Sequence, residues 1–444
     1  MIESLLVANR GEIARRIIRT ARRLGIRAIA VHSEADAGLP FVLEADEAVC
    51  IGPPNPAQSY RNADAILAAA KSTGAQAVHP GYGFLSESAE FARTVEVNGL
   101  VWVGPGADAI SAMGDKINAR NLMAAAGVPV APGTREPAAS VEAAVEAAGG
   151  IGYPIMVKAA AGGGGMGMGV AADEAGLRTE YDKVRAFAER MFGDGSVLLE
   201  RYFPRVRHVE VQILGLADGR VIALSERECS VQRRNQKLVE EAPSPAVGAE
   251  LRERILAAAV TAGEAVGYRN AGTVECLLDP ASGEFFFLEM NTRLQVEHPI
   301  TELIHGIDLV EQQLRIASGL EPNADLTRAT RGHAIELRIN AEDPKRFLPG
   351  PGAVATWVEP TGDGVRVDSG YAAGTTVTPF YDSLMAKLIV TGADRAEAIA
   401  RARAAVAGFE IAGPKNNLPF FAELLSNDEF LSGDYDTGIV ARMR

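Results

Sequence analysis

The first 130 residues alternate between short apolar runs and longer stretches in which apolar positions recur with helical spacing. The apolar runs are LLVAN, RAIAVHS, AVCIG, QAVHPG and LVWVGPG. Between them lie stretches such as EIARRIIRTARRLG and ADAILAAAKSTG. This alternation is typical of β-α-β units, so it predicts a parallel sheet with crossover helices in residues 1–130.

A different pattern follows a Pro/Ala/Gly-rich stretch, APGTREPAAS, which is typical of a boundary or hinge. Residues 131–203 contain two predicted strands, PIMVKAA and SVLLERY, and a helical stretch, LRTEYDKVRAFAERMF. Between the first strand and the helix lies a run of glycines. The pattern predicts a small separate unit.

Beyond residue 204 apolar and polar positions alternate with a period of two, as in HVEVQILGLADGRVIALSE. The Asp218-Gly219 pair within that stretch predicts a hairpin turn. Residues 204–444 are therefore expected to form a larger unit built on an antiparallel sheet, and the chain divides into 1–130, 131–203 and 204–444.

Composition narrows the class of protein. The 444 residues carry a net charge of −13, which argues against a nucleic-acid partner because phosphates demand a basic surface. The three cysteines have neither disulfide-framework nor zinc-site spacing, which fits a reducing compartment. No apolar run approaches the roughly 18 residues that would span a bilayer. The sequence thus predicts a cytoplasmic protein without membrane contact.

The glycine run, KAAAGGGGMGMGV at residues 158–170, is the first candidate site. A Walker loop would need Gly-Lys-Ser/Thr where Met166-Gly167-Met168 stands, and a dinucleotide fingerprint would lie in the first β-α turn, which is ANRGEIA. A flexible linker remains an alternative. The other interpretation is a backbone loop that approaches phosphates, with Lys158 as a nearby cation.

The second candidate site is an alternation of polar residues. Glu289, Asn291, Arg293, Gln295 and Glu297 occupy every second position. In an extended strand they would share one face, although a merely solvated face is the commoner meaning of such a pattern.

An acid expected to lie opposite that face favours a metal. Glu275 is separated from Glu289 by a turn sequence, DPASG, so the two should lie within a residue or two of being cross-strand neighbours. Opposed carboxylates repel each other unless a cation lies between them. Oxygen ligands of this kind, with Asn291 beside them, suit magnesium held together with substrate phosphates.

Several basic residues could complete a nucleotide site: Lys116, Lys158, Arg233, Arg234, Lys237 and Arg338. The stretch around Arg233 and Arg234 could equally be a solvated loop. Among the histidines, His79 and His298 are expected to be hydrogen-bonded structural residues. His208 is a better candidate for a ligand contact, because it opens the predicted hairpin after the small unit.

Nine motifs follow one another along the chain: ANRGEIA (8–14), HPGYGFLSE (79–87), MGDK (113–116), GGGGMGM (162–168), RHVEVQ (207–212), QRRNQK (232–237), EMNTRLQVEHPITE (289–302), RINAEDP (338–344) and YDSLMAKL (381–388). Their order closely resembles biotin carboxylase, a family of ATP-grasp enzymes, over essentially the whole chain. The resemblance implies a mixed α/β and α+β architecture: a Rossmann-like parallel-sheet domain, a small mobile lid that carries the glycine loop, and a larger antiparallel-sheet domain.

The resemblance also implies roles for individual residues. The expected ATP-binding residues are Lys116, Lys158, Gly163, Gly164, Gly165, Met168, Glu200, Arg201, Phe203, His208, Gln232, Asn235 and Leu277. The expected metal ligands are Glu275, Glu289 and Asn291, and the expected bicarbonate pocket is Lys237, Arg293, Gln295 and Val296. Glu297 matches the general base and Arg338 the arginine that stabilises the biotin enolate; with Lys237 and Arg293 they form the implied catalytic set.

The implied reaction is carboxylation of N1′ of biotin, using ATP, bicarbonate and Mg²⁺ or Mn²⁺, through carboxyphosphate. The implied setting is an acetyl-CoA or acyl-CoA carboxylase of fatty acid biosynthesis, with a biotin carboxyl carrier protein and carboxyltransferase subunits as partners and a homodimer as assembly. Other bicarbonate-using ATP-grasp ligases, or a pyruvate- or urea-type carboxylase, remain alternatives. The only carrier-like context, Met385-Ala386-Lys387-Leu388, has the wrong spacing, so we expect biotin to arrive on another protein.

Three positions depart from the family pattern. Asn235 stands where the family often has histidine, and Met166 and Gly169 stand where basic residues are common. A glycine loop can still hold phosphate through backbone N–H groups, so these changes put ATP affinity in doubt but not the chemistry.

Overall fold

The computed structural model describes residues 1–160, 167–326 and 328–444. The predicted parallel sheet is confirmed: five strands lie in the order β3-β2-β1-β4-β5, all paired in parallel. The strands are β1 (Ser4–Val7), β2 (Arg27–Ser33), β3 (Glu47–Gly52), β4 (Ala77–His79) and β5 (Val101–Trp102). The helices of this part are α1 (Gly11–Arg23), α2 (Pro40–Glu44), α3 (Ala63–Thr73), α4 (Ala89–Val97), α5 (Ala107–Gly114) and α6 (Lys116–Ala125).

The sheet is covered on both faces, as its apolar strands require. Helix α1 buries Ile13, Ile17 and Ala21, which recur every four residues along one side. Alternate residues of β1 enter different cores, with Leu5 on the side of α1 and Leu6 on the side of α3. The sequence order reverses between β1 and β4, and such a switch point opens a crevice at the carboxyl ends of the strands.

The predicted small unit forms a three-stranded antiparallel sheet, in the order β7-β6-β8, packed against two helices. Its elements are α7 (Val141–Ile151), β6 (Ile155–Ala159), β7 (Met168–Ala171), α8 (Glu174–Phe192) and β8 (Val197–Arg201). A separate hydrophobic core, which includes Ile155, Leu177 and Tyr181, holds these elements together. A unit with its own core and one short sheet can move as a body.

An eight-stranded antiparallel sheet, in the order β13-β12-β9-β10-β11-β14-β19-β17, dominates the rest of the chain and confirms the antiparallel prediction. Its strands are β9 (Arg207–Gly215), β10 (Val221–Arg233), β11 (Gln236–Ala242), β12 (Asn270–Asp279), β13 (Glu284–Asn291), β14 (His333–Asn340), β17 (Val365–Ser369) and β19 (Leu384–Gly392). The turn predicted at Asp218-Gly219 joins β9 to β10, with Gly219 at a φ of +91°.

Helices and two small ribbons complete this part. The helices are α9 (Ala249–Ala265), α10 (His298–His305), α11 (Leu309–Ala317), α12 (Arg395–Gly408), α13 (Leu418–Leu424), α14 (Asp428–Ser432) and α15 (Ile439–Arg442). The ribbons pair β15 (Gly352–Ala353) with β18 (Thr376–Val377), and β16 (Thr356–Val358) with β20 (Glu410–Ala412). Within the described residues, none of the helices has the length and apolar content needed to span a bilayer. The domain limits at residues 130 and 203 stay predictions.

A buried polar cluster fastens the carboxyl-terminal helices to the large sheet. The Glu241 carboxylate, fully buried on β11, accepts hydrogen bonds from His333 Nε2 at 2.6 Å and Arg395 Nε at 2.7 Å, and from the Tyr435 hydroxyl. Burial tends to raise the pKa of Glu241, but the hydrogen bonds from His333 and Arg395 lower it to about 2. The carboxylate is therefore ionised and fully paired in the folded state.

We expect Glu241→Gln to lower the free energy of unfolding by about 3 kcal/mol, because it removes the charge that His333 and Arg395 surround. A folded-state pKa of about 2 against an ordinary 4.5 stabilises the fold fully above pH 4.5, and this stabilisation is lost as the pH falls toward 2. Urea unfolding of both proteins between pH 7 and pH 3 measures this. A pH dependence that is equally steep in the variant would contradict the assignment.

Candidate functional site

A cleft of about 830 Å³ lies between the carboxyl ends of the parallel strands and one face of the large antiparallel sheet. Its lining includes loops after β1 and β4, the β10–β11 hairpin, the ends of β12 and β13, and β14. The residues singled out in the sequence that line this one space are His208, Arg234, Asn235, Lys237, Glu275, Glu289, Asn291, Arg293, Gln295, Val296 and Arg338.

Asn9 joins the two loops that form the parallel-sheet wall of the cleft. Its Nδ2 donates to the carbonyls of Pro80 at 2.6 Å and Tyr82 at 2.7 Å. Gly81 lies against this amide with a φ of +64°, and a Cβ there would be 2.8 Å from Asn9 Nδ2. Only glycine fits both the conformation and the space, so ANR and HPGYG form one structural unit.

The β10–β11 hairpin brings Lys237 into the cleft. Arg234 and Asn235 form the turn, with φ values of +49° and +65°, as a two-residue hairpin turn with both central residues left-handed requires. Gln232 pairs directly with Lys237 across the hairpin. Arg233, one of the basic residues that the sequence suggested for a nucleotide site, points elsewhere: its NH1 donates to the Phe347 carbonyl at 2.7 Å.

Glu275 and Glu289 are direct cross-strand partners on β12 and β13, as the turn between them predicted. Asn291 Nδ2 and Gln295 Nε2 both donate to Glu275 Oε1 at 2.9 Å. Burial and the charge of Glu275 raise the pKa of Glu289, with Lys116 at the start of α6 opposing them. Burial tends to raise the pKa of Glu275 too, but Lys237 and His208 hold it well below its usual range. Glu289 is therefore the member of the pair that is short of positive charge, which a divalent cation would supply.

The predicted continuous strand from Glu289 to Glu297 is wrong. Strand β13 ends at Asn291, and Glu297 is the residue immediately before α10, whose first turn contains Pro299. Proline lacks the N–H that a sheet ladder needs but fits the first turn of a helix, so the chain leaves the sheet before it. The polar side chains still converge, because the loop curls back over the end of β12: Arg293 donates to Asn291 Oδ1 and to Gln295 Oε1, both at 2.9 Å.

The Lys237 ammonium lies at the centre of the polar cluster. It donates to three carboxylates, Glu210 Oε2 at 2.5 Å, Glu297 Oε1 at 2.7 Å and Glu275 Oε1 at 2.8 Å. Burial tends to lower the pKa of Lys237, but these three charges raise it well above its usual range. The lysine is therefore a permanent cation.

Arg338, on β14, occupies the other side of Glu297. Its NH2 donates to Glu297 Oε2 at 3.0 Å, and its Nε donates to Glu240 Oε1 at 2.7 Å. Burial tends to raise the pKa of Glu297, but the charges of Lys237 and Arg338 hold it well below its usual range. Burial raises the pKa of Glu240 to about 7 against the opposing charge of Arg338. Glu297 is thus the carboxylate that stays ionised.

His208 links Glu275 to Gln232 and to the strand that carries Leu277. His208 Nε2 lies 2.9 Å from Glu275 Oε2, and Gln232 Nε2 lies 3.2 Å from His208 Nδ1. Leu277 is the register partner of His208 on the adjacent strand. Burial tends to lower the pKa of His208, but the charge of Glu275 raises it, so the ring tends to be protonated beside that carboxylate.

The predicted small-unit residues form a second group. Lys158, on β6, is ion-paired with Glu200 on β8, and Arg201 follows on the same strand. Phe203 stacks on Phe286 with ring centroids 4.9 Å apart, which ties the end of β8 to β13. Met168 is exposed at the start of β7. Gly163, Gly164, Gly165 and Met166 lie outside the described residues.

Several carboxylates of the site were missed by sequence reasoning. Glu210 and Glu240 are fully buried partners of Lys237 and Arg338, and Glu87 Oε2 accepts from Arg293 Nε at 3.0 Å. Glu210 shares the period-two face of His208 in RHVEVQ, which was a usable signal. Glu240 and Glu87 carry no such signal, because their partners are distant in sequence. The expected structural roles of His79 and His298 agree with their buried hydrogen bonds to Gln313 and to the Gln295 carbonyl.

The arrangement can bind a small anion and take a proton from it. Three cations, Lys237, Arg293 and Arg338, lie with an ionised carboxylate, Glu297, in and around one cleft. A carboxylate held in place beside cationic side chains can act as a general base. The neighbouring carboxylates Glu275 and Glu289 suit a divalent metal ion.

Family models match three segments that together span most of the chain. Residues 1–110 match "Biotin carboxylase, N-terminal domain", residues 115–324 match "Carbamoyl-phosphate synthase L chain, ATP binding domain", and residues 336–442 match "Biotin carboxylase C-terminal domain". The chain is 49% identical to Biotin carboxylase 2 of Bacillus subtilis, over 98% of both chains. It is also 49% identical to a pyruvate carboxylase subunit of Methanothermobacter thermautotrophicus, over 100% of this chain and 90% of that protein.

Solved structures agree with the sequence comparison. The biotin carboxylase of Campylobacter jejuni, crystallised as a complex with β,γ-ATP, has a TM-score of 0.95 at 43% identity. The match covers 100% of this chain and 99% of that one. The biotin carboxylase domain dimer of Hydrogenobacter thermophilus 2-oxoglutarate carboxylase, with MgADP, ADP and bicarbonate, has a TM-score of 0.94 at 43% identity, covering 100% of this chain and 98% of that one. These likenesses confirm the ATP-grasp architecture.

Proposed function

The chain belongs to the biotin carboxylase family, and from that premise we propose that it uses ATP and bicarbonate to carboxylate N1′ of biotin carried by a separate protein. ATP and bicarbonate would yield carboxyphosphate and ADP. Carboxyphosphate would yield carbon dioxide and phosphate; N1′ would lose its proton to that phosphate and form its new bond to the carbon of carbon dioxide. The observation that carries this proposal is the Glu297 carboxylate, held 2.7 Å from Lys237 Nζ and 3.0 Å from Arg338 NH2, two residues that line the cleft.

Each side chain of this group suits one part of the chemistry. Glu297 is the candidate base that removes the bicarbonate proton, since it stays ionised and lies within hydrogen-bond reach of the side chains of Lys237 and Arg338. Lys237, Arg293, Gln295 and the Val296 backbone are candidates for the bicarbonate pocket, in which a guanidinium can hold two oxygens at once. Arg338 is the candidate for stabilising negative charge on the biotin ureido oxygen.

The metal set fits Mg²⁺ or Mn²⁺. Glu275, Glu289 and Asn291 offer oxygen donors side by side, and the raised pKa of Glu289 reflects an unmet need for positive charge. A bound ion would neutralise phosphate charge during phosphoryl transfer. His208 and Lys237, which now pair with Glu275, can turn toward nucleotide or bicarbonate when the ion takes their place.

For the nucleotide we propose the residues between the small unit and the large sheet. Lys116 and Lys158 would contact the phosphates, and the segment Glu200–Phe203 with Leu277 would surround the adenine. His208, Gln232 and Asn235 would contact the rest of the nucleotide. Met168 and the glycines at 163–165 would cover the phosphates when the small unit closes. Exclusion of water then protects a carboxyphosphate that water would destroy.

The acceptor beyond biotin is a separate proposal. We propose an acetyl-CoA or acyl-CoA carboxylase, acting with a biotin carboxyl carrier protein and carboxyltransferase subunits and assembled as a homodimer. A pyruvate-type carboxylase is the second candidate, favoured by the equal 49% identity to the Methanothermobacter protein. The proposal of a separate carrier is supported by Lys387, which is fully buried and ion-paired and so is no site for biotin attachment.

Bicarbonate-dependent ATP cleavage, measured with and without free biotin, tests the proposed function. We expect ADP release to require bicarbonate and Mg²⁺ and to rise when biotin is added, with carboxybiotin formed from labelled bicarbonate. ADP release that is independent of bicarbonate, or a labelled product other than carboxybiotin, would overturn it.

We expect Glu289→Gln to lower turnover at ordinary Mg²⁺ concentrations by on the order of 10²-fold, because one of two paired carboxylates loses its charge toward the ion. Raising Mg²⁺ should recover part of the loss, and thermal unfolding of the variant should stay close to that of the wild type. Glu284→Gln, at the exposed start of the same strand, is the matched control. Near-normal activity of Glu289→Gln at low Mg²⁺ would remove the metal assignment.

A further inference from the structure

A buried ion pair lies at the edge of the cleft, where Glu12 is one of the lining residues, and has no role among those assigned so far. Lys387, on β19, is fully buried, and its Nζ is 3.2 Å from Oε2 of Glu12 in the first turn of α1. The same ammonium donates a hydrogen bond to the Val296 carbonyl at 2.9 Å. It therefore contacts the backbone of the segment that places Glu297.

That segment has little support from the sheet. Strand β13 ends at Asn291 and α10 begins at His298, so the backbone between them has neither ladder nor helix to fix its position. Val296 and Gln295 nevertheless line the cleft, and Glu297 follows directly. A charged donor at 2.9 Å from a carbonyl is a strong anchor for such a loop.

The other end of the pair reaches the opposite wall of the cleft. Glu12 Oε1 accepts a hydrogen bond from the hydroxyl of Tyr82, which lines the cleft in the loop after β4. Tyr82, Glu12, Lys387 and the Val296 carbonyl thus form one continuous polar chain between the two walls. The chain crosses from the parallel-sheet part of the molecule to the antiparallel part.

We propose that Lys387 is a positioning residue for the bicarbonate step: its ammonium, anchored by Glu12, fixes the Val296 carbonyl and through it the placement of Glu297 and the bicarbonate pocket. This inference rests on the proposed function of the cleft. A small error in the placement of reacting groups costs rate steeply, so a dedicated anchor for this loop has a large effect.

Energetics favour a positional role over a purely stabilising one. A buried ion pair gains little net stability, because desolvation offsets the attraction between the charges. A pair of apolar or neutral side chains of similar shape could fill the same space. Lys387 and Glu12 differ from such a pair because each also makes a hydrogen bond outside the pair: Lys387 donates to the Val296 carbonyl, and Glu12 accepts from the Tyr82 hydroxyl.

The test uses a variant that removes both charges, Glu12→Gln with Lys387→Met, so that neither charge is left buried alone. We expect KM for bicarbonate in ATP cleavage to rise on the order of 10-fold. The ATP dissociation constant, measured by calorimetry, should stay within about twofold, since the predicted nucleotide contacts lie elsewhere. Glu241→Gln is the control: it should lower stability and leave KM for bicarbonate unchanged.

Unchanged KM for bicarbonate in the folded double variant would overturn the inference, as would a rise in the ATP dissociation constant by the same factor. If the double variant does not fold, Glu12→Gln alone decides: a raised KM supports the inference and an unchanged KM overturns it. Wild-type protein without bicarbonate-dependent ATP cleavage would overturn the proposed function and this inference together. An active wild type with an insensitive variant would overturn the inference alone.

Discussion

Glu297→Gln should reduce bicarbonate-dependent ATP cleavage by on the order of 10²- to 10⁴-fold, the usual range for a lost general base. The amide keeps the shape of the carboxylate, but its single oxygen can accept from only one of the two donors, Lys237 and Arg338, and its NH2 group faces the other. It cannot take a proton from bicarbonate. ATP binding should persist, because the predicted nucleotide contacts do not include this carboxylate.

Steady-state kinetics at saturating bicarbonate, with calorimetric ATP binding as a companion, measure this effect. Glu297→Asp is the matched variant: it retains the charge and withdraws it by one methylene, so we expect a smaller loss than for the amide. Turnover of Glu297→Gln within about threefold of wild type would exclude Glu297 as the base.

Arg338→Ala is the second large effect. We expect carboxylation of free biotin to fall by on the order of 10²-fold, as for loss of one charge-stabilising donor in an active site, while ATP affinity changes by less than about twofold. Glu240 should tolerate the loss of its partner, because burial already raises its pKa to about 7 and it can take up a proton. Carboxybiotin formation from labelled bicarbonate is the measurement.

Arg233→Ala provides the control, since Arg233 lies on the strand next to this site but donates to the Phe347 carbonyl and stacks at 4.8 Å on its ring. It should lose some stability and no biotin carboxylation. If Arg338→Ala weakened ATP binding by the same factor as carboxylation, the assignment of Arg338 to the biotin step would be wrong.

The fold was largely predictable because its signals are local. Short apolar runs located β1 and β2, helical spacing located α1 and α8, and a turn sequence indicated the pairing of Glu275 with Glu289. The error at residues 292–297 has the same cause: alternation alone predicts a strand there, whereas β13 ends at Asn291 and Pro299 already lies in the first turn of α10.

The predicted site residues that line the cleft converge, but their partners could not be predicted from spacing. Glu240 pairs with Arg338 across 98 positions, and Glu12 lies near Lys387 across a far longer separation. Such contacts depend on the order of strands in the sheet and on how the parallel sheet docks against it. The family resemblance implied a role for each site residue. The structure adds which charged side chains surround that residue.

The length of the two-residue turn at Arg234-Asn235 matters for function, because it determines where Lys237 lies. Hairpin connections usually tolerate insertions at little thermodynamic cost. Here the turn also sets the phase at the start of β11, where Gln232 pairs with Lys237, and a shift of one residue there would carry Lys237 to the opposite face. Lys237 would leave the three carboxylates it bridges and enter the apolar side of the sheet, while Leu238 would take its place. A change of length at this turn would therefore silence the chemistry, because it would move the Lys237 ammonium away from the carboxylates around it.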